Sequence, residues 1–348
     1  MKRQMRALLT AIAVFAACLL VTVEHAGKYS VTSLGQIDGY SGNAAWGMAT
    51  DGSVLVWASG TTDGWFTWNP KSGAAQIPVP SDTRMLCGIN SAGQAVGWHG
   101  DYTTGIVVDA SGSVRELTSY PGYGGSCGLA INDAGQVVGS SGDSAVLWQP
   151  DGTPVMIAAG APGLDAEARA ISDNGLILYT TQAFGAGQLR ETTSYVWKPD
   201  GSVQQLAEIS AFDGAAYSLR AINDSGQVVG TSGGHAILWN PDGSIAADLG
   251  EGTACDINNL GQIVGTLNGE AVMWDSDLSV TYLPGIGSDT GAMVRSINDD
   301  GLIAGTIYDS NTGVRTAVLW QPVPEPSSLL ALLAGFVTVG GLIRRRTR

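Results

Sequence analysis

Three arginines, Arg169, Arg220 and Arg295, each stand two residues before an isoleucine. Guanidinium groups repeated at one equivalent place form a set that, around a channel mouth, would take an anionic sugar. Pairing with nearby aspartates between neighbouring repeats is the use expected of them otherwise. A second recurring set mixes tyrosine with acid in the connecting segments: Asp38 and Tyr40, Tyr120 and Tyr123, Asp165 and Glu167, Asp213 and Tyr217, and Asp289. Tyrosine beside carboxylate suits polar glycan recognition, and loops on a rigid scaffold are where binding concentrates. The same residues also suit plain solvated turns. Two carboxylates meeting from different loops would instead provide the acid and base of a polysaccharide hydrolase or lyase.

Other chemistry has little to build on. Beyond the N-terminal segment the histidines are His99 and His235, far apart and without a second ligand at zinc spacing. No His-Glu-x-x-His helix or phosphate-cradling glycine loop occurs, and Asp275, Asp277, Asp299 and Asp300 do not form a calcium loop. Neither a metal nor a cofactor is expected, and a binding protein is favoured over an enzyme. Cys87, Cys127 and Cys255 are an odd number for an oxidising compartment. Burial as small apolar side chains is their expected state, with a Cys87 to Cys127 bridge as the alternative. Between residues 27 and 322 there are 10 basic against 29 acidic residues, a net −19, which argues against nucleic-acid binding.

These residues sit on a unit written seven times. Gly88 to Gly97 reads Gly-Ile-Asn-Ser-Ala-Gly-Gln-Ala-Val-Gly, and closely similar copies begin at Ala130 and Ala221. Weaker copies start at Ile171, Ile257 and Ile297, and the most diverged runs from Met48 to Val54. Their central glycines are Gly52, Gly93, Gly135, Gly175, Gly226, Gly261 and Gly301, spaced 41, 42, 40, 51, 35 and 40. In each, an apolar strand ends before the Asn, the Gly supplies a tight turn at positive φ, and Gln-Val-Val-Gly begins the return strand. A second hairpin follows, as in His235 to Trp239, a turn at Asn240 to Gly243, and Ser244 to Leu249. Tryptophan recurs in it as Trp68, Trp148, Trp197, Trp239, Trp274 and Trp320, with Val108 in the second copy; core packing between neighbouring units is its expected role.

Four short strands in about 41 residues make one propeller blade. The sequence therefore predicts an all-β fold, a seven-bladed β-propeller over residues 27–322. Its last unit lacks a fourth strand, and residues 29 to 34 resemble one, so the N-terminal strand is expected to close the ring beside Thr316 to Trp320.

The ends read as addresses. Residues 1–26 have a basic start and an apolar run from Ala7 to Val23, the layout of a secretory signal peptide. Residues 323–348 hold Pro324-Glu325-Pro326, a mostly apolar stretch 329–343 expected to form a marginal transmembrane helix, and Arg344, Arg345 and Arg346 before the terminus. That order resembles the PEP-CTERM sorting signal. The resemblance implies processing by an exosortase-type enzyme near Pro324 to Pro326, a transient inner-membrane anchor, and delivery to the envelope or matrix of an exopolysaccharide-producing bacterium. The Ile-Asn-x-x-Gly-Gln-Val-Val-Gly core and the His235-Ala236-Ile237 strand are similar to the extracellular repeats of the HAF family, over about residues 44 to 320. That likeness implies export and repetition and no particular chemistry. Together they lead to the expectation of a non-catalytic surface or matrix protein that binds exopolysaccharide or serves as a structural module.

Overall fold

The computed structural model describes residues 28–100, 103–185, 188–207, 218–286, 291–309 and 311–323. The expected signal peptide, the segment holding Pro324, Glu325, Pro326, Arg344, Arg345 and Arg346 with its apolar helix, and Asp213, Tyr217 and Asp289 lie outside these residues. The described residues form strands and turns, and none of them is in a helix long and apolar enough to cross a membrane. The chain divides into Val31–Trp320, which carries the sheets, and a unit made of its two ends, where Val323 N–H donates to Lys28 O at 2.9 Å.

Each repeat becomes an antiparallel sheet. The first is Gly42–Met48, Val54–Ser59, Gly64–Asn69 and Gly73–Gln76, in that order. The three that follow have the same arrangement, beginning at Thr83–Ile89, Cys127–Ile131 and Leu164–Ile171. The next two repeats share one seven-stranded sheet, because a 13-residue strand, Ile245–Ile257, pairs with His235–Trp239 and then with Ile263–Leu267. Separate strands are expected there from the sequence, but this is also the shortest repeat spacing, which leaves no residues for a loop. Gly250 and Gly252, at φ of 104° and 154°, turn the chain from one sheet into the next. In the last sheet the order is Tyr29–Ser33, Arg315–Pro322, Ile303–Tyr308, Gly291–Ile297, so the N-terminal strand lies beside the C-terminal one. Leu34 N–H donates to Ala317 O at 2.9 Å.

The repeated turn explains its own sequence. All seven central glycines have positive φ, between 73° and 85°. Asn90 Oδ1 accepts the Gln94 N–H at 2.9 Å, and Asn90 Nδ2 donates both to Gln94 Oε1 and, at 3.1 Å, to the Asn132 carbonyl of the next repeat. The same outward bond runs from Asn132 to Ser172 O, Asn223 to Asn258 O, Asn258 to Asn298 O, and Asn298 to Thr50 O. These asparagines are nearly fully buried, so each satisfies a neighbour's carbonyl that water does not reach.

Hydrophobic cores lie between successive sheets. Val96, Val107 and Leu117 of the second repeat pack with Val137, Val146 and Trp148 of the third, and Ala45, Val56 and Phe66 of the first pack with Ala304, Ala317 and Leu319 of the last. Trp148, Trp239, Trp274 and Trp320 are almost completely buried, while Trp68 and Trp197 are half-buried. Three indoles also donate to the preceding repeat: Trp148 to Thr118 O, Trp239 to Ala207 O and Trp320 to Pro284 O, at 2.7, 3.0 and 2.7 Å.

Candidate functional site

The first strand of every repeat carries the same irregularity, and this irregularity places the candidate residues. Pairing to the second strand shifts register between Ala45 and Gly47, Leu86 and Gly88, Gly128 and Ala130, Ala168 and Ala170, Leu219 and Ala221, Ala254 and Asp256, and Val294 and Ser296. The extra residue at each bulge is Trp46, Cys87, Leu129, Arg169, Arg220, Cys255 or Arg295. A bulge re-aims a side chain out of the ladder, so the three arginines singled out by spacing share one structural position.

Arg169 and Arg220 line one cavity of ≈ 270 Å³ together with Cys87, Leu129, Thr180, Gln182 and Leu219. Arg169 pairs with Glu167 of its own strand at 2.5 Å, and Arg295 lies over the Trp46 ring with its Cζ 4.9 Å from the centroid. The expected aspartate partners are therefore replaced by a glutamate and an indole. Thr180 Oγ1 is buried at this wall without a hydrogen-bond partner. Beside it, Asp143, Asp165 and Glu167 line a cavity of ≈ 170 Å³ that shares Thr180 and Gln182. Burial raises the Glu167 carboxyl above its usual range, Arg169 opposing and Asp165 adding to the shift; burial and then Asp143 raise Asp165. Both acids belong to the strand Leu164–Ile171 rather than to a loop, since this repeat has longer strands than its neighbours.

The other candidates are placed apart. Asp38 is exposed in a turn where Tyr40 N–H donates to Ile37 O, and the Tyr40 ring packs edge-on against Phe66 at 5.3 Å, a core contact. Tyr120 and Tyr123 pack on each other at 6.0 Å. His99 and His235 are held by the carboxylates of Asp82 and Asp248, each at 3.0 Å. Cys87, Cys127 and Cys255 are free thiols, and burial pushes Cys87 and Cys127 up to about 12.

Sequence reasoning passed over the residue that follows the repeated Asn. Thr50, Asp133, Asp173, Asp224, Asn259 and Asp299 converge on a central cavity of ≈ 180 Å³ lined by all seven repeats. They are linked in a chain: Ser91 N–H donates to Asp133 Oδ1, Asp133 N–H to Asp173 Oδ1, Asp224 N–H to Asn259 Oδ1 and Asn259 N–H to Asp299 Oδ1, at 2.7–2.9 Å. The signal was available, an acid or amide in one position of five copies, but its convergence was not.

Asp256 lies deeper in the same cavity, accepting the N–H groups of Ile257 and, in the next repeat, Ile297, both at 2.9 Å. Burial pushes its carboxyl up to about 7, the two N–H donors opposing and Asp299 adding. With the folded value above the unfolded one near 3.8, this group favours the fold most below pH 4. Its contribution declines as pH rises and is lost above about 7. Asp256→Asn is expected to remove that slope: relative to wild type it gains stability between pH 4 and pH 8, by up to about 4 kcal/mol. Urea unfolding of both proteins at the two pH values measures it, and parallel pH profiles would refute it.

No family model and no curated protein matches this chain. Among solved structures, a streptogramin B lyase aligns over 85% of this chain and 98% of its own, with TM-score 0.59 and 11% identity. A catalytically inactive virginiamycin B lyase from Staphylococcus aureus with quinupristin aligns over 85% and 100%, with TM-score 0.58 and 10% identity. A prolyl endopeptidase aligns over 83% of this chain but only 50% of its own, with TM-score 0.54 and 13% identity. Likeness at such identities carries architecture and not activity. The chain has a β-propeller-like fold.

Proposed function

We propose that this chain is an exported, exosortase-sorted propeller of seven blades, closed by its N-terminal strand, that binds acidic polysaccharide without turning it over. The closed ring is supported by the neighbouring first strands of successive repeats, including Gly291–Ile297 beside Gly42–Met48, and by the bond from Asn298 to Thr50. The observation that carries the binding reading is the pair Arg169 and Arg220 in one cavity, on a chain whose bases are few. Guanidinium forks match carboxylates bidentately, and Thr180 and Gln182 supply hydroxyl and amide groups of the kind that recognise sugar.

Calorimetric titration with a uronate-rich polysaccharide is the test. Arg220→Gln is expected to weaken binding about tenfold, the worth of one charge-assisted hydrogen bond. Absence of binding by the wild-type protein, or equal binding by the variant, would overturn the reading. Export and sorting are tested by the intact mass of the secreted product, which should lack residues 1–26 and the segment after the Pro-Glu-Pro.

A second reading is favoured by Glu167, a carboxyl raised by burial in the wall of the neighbouring cavity with Asp143 and Asp165, where a general acid of a hydrolase or lyase would sit. It requires release of reducing ends or unsaturated sugars from the polysaccharide, abolished in Glu167→Gln.

A further inference from the structure

A larger cavity, ≈ 420 Å³, opens between the first and last repeats, with Trp46, Met293, Arg295, Thr306, Tyr308 and Arg315 in its wall. Its volume falls in the range of small-molecule sites. Its polar groups are mostly donors. Arg295 is held over Trp46, and Trp65 packs against Trp46 in turn, with ring centroids 6.1 Å apart, so the guanidinium is braced through two indoles. Arg315 stands opposite Tyr308 across the hairpin. Trp46 Nε1 is buried without an acceptor, and Thr306 Oγ1 already accepts the Ala45 N–H at 3.0 Å.

Among the described residues no carboxylate lines this cavity. Arg295 is partly buried, and burial lowers its pKa from the ordinary arginine value. A guanidinium withdrawn from water without an anion is costly, and so is a buried donor without an acceptor. Both costs are relieved by one ligand atom group, an oxyanion. The remaining wall is apolar or aromatic and open to solvent, with Met293 55% and Tyr308 44% exposed. Such a surface accepts the face of a ring.

We propose that this cavity is a second carbohydrate subsite, taking one carboxylated pyranose, a uronate unit, with its carboxylate between Arg295 and Arg315 and its ring against Tyr308 and Met293. The proposal rests on the reading of the chain as an acidic-glycan binder but uses residues separate from the Arg169 and Arg220 cavity. No bond is made or broken.

The probes are a galacturonate trisaccharide, the corresponding neutral trisaccharide, and benzoate, each titrated into the full-length protein. Wild type is expected to bind the galacturonate and not the neutral sugar, with Arg295→Gln weakening it about tenfold or more. Trp46→Phe keeps an aromatic ring under Arg295 and removes the N–H, and it should weaken binding several-fold. The indole resonance that vanishes in Trp46→Phe should shift downfield in wild type on adding galacturonate, as the N–H gains an acceptor. If Arg295→Gln melts as wild type and binds as wild type while Arg220→Gln binds weakly, the subsite is wrong and the polysaccharide reading stands. If neither substitution matters, or wild type does not bind, both fail. Benzoate binding as tightly as galacturonate, with the same dependence on Arg295, would overturn the sugar assignment. Should Arg295→Gln not fold, the indole shift decides: no shift at saturating galacturonate overturns the proposal.

Discussion

Trp148→Ala is expected to destabilise the protein by about 4 kcal/mol, among the largest losses available from a single side chain. The indole is fully buried between the second and third repeats, against Val96, Val107 and Leu117 on one side and Val137 and Val146 on the other. Truncation removes that buried area and leaves a cavity between two sheets that cannot close independently, because each is also packed on its other neighbour. It also strands the Thr118 carbonyl, which accepts the indole N–H at 2.7 Å. Trp148→Phe separates the contributions, since it keeps most of the packing and loses the bond, and about 1–2 kcal/mol is expected. Urea midpoints at constant slope measure both. A loss from Trp148→Ala no greater than that from the half-buried Trp197→Ala would refute the assignment.

Gly265→Ala is the second large effect, and it tests the bulge rather than the core. A methyl group at Gly265 would sit 1.9 Å from the Thr253 carbonyl, and Gly97 and Gly139 stand equally close to the carbonyls of Met85 and Cys127. Those atoms are backbone on both sides, held by ladder pairing at Ala254 and Gly265, so neither can move aside cheaply. A cost of about 3 kcal/mol or more is expected, beyond ordinary overpacking. Gly285→Ala is the control: among the described residues nothing lies within 4 Å of a methyl group there, and its φ is not positive, so a change within about 0.5 kcal/mol is expected. Equal effects at the two glycines would mean that the tight approach at the bulge does not bear on stability.

The last glycine of Gln-Val-Val-Gly shows how far the letters could be read. Its recurrence marked the return strand, yet nothing in the repeat announced the bulge opposite, because a bulge is a mismatch between two strands and leaves no periodicity in either. Arg169, Arg220 and Arg295 were legible as equivalent from their distance to the following isoleucine. That one pairs with Glu167 and another lies over Trp46 was not, since both partners depend on which side chains a neighbouring strand or repeat presents. Tyr40 was legible as a tyrosine in a connecting segment, and the packing of its ring against Phe66 was not, because that contact is made only once the chain folds.

Local chemistry and repetition therefore settled a great deal in advance. Hairpin turns with positive-φ glycines, four strands per unit and tryptophan between units all follow from short-range rules acting on seven copies of one segment, which is why a single reading frame was enough. Convergence did not follow. Asp133, Asp173, Asp224 and Asp299 are 40, 51 and 75 residues apart along the chain and meet at one cavity, and Arg295 reaches Trp46 across more than two thirds of the sequence. Such meetings are decided when the sheets pack face to face, because packing, rather than any local preference, determines which residue of one repeat stands opposite which residue of another.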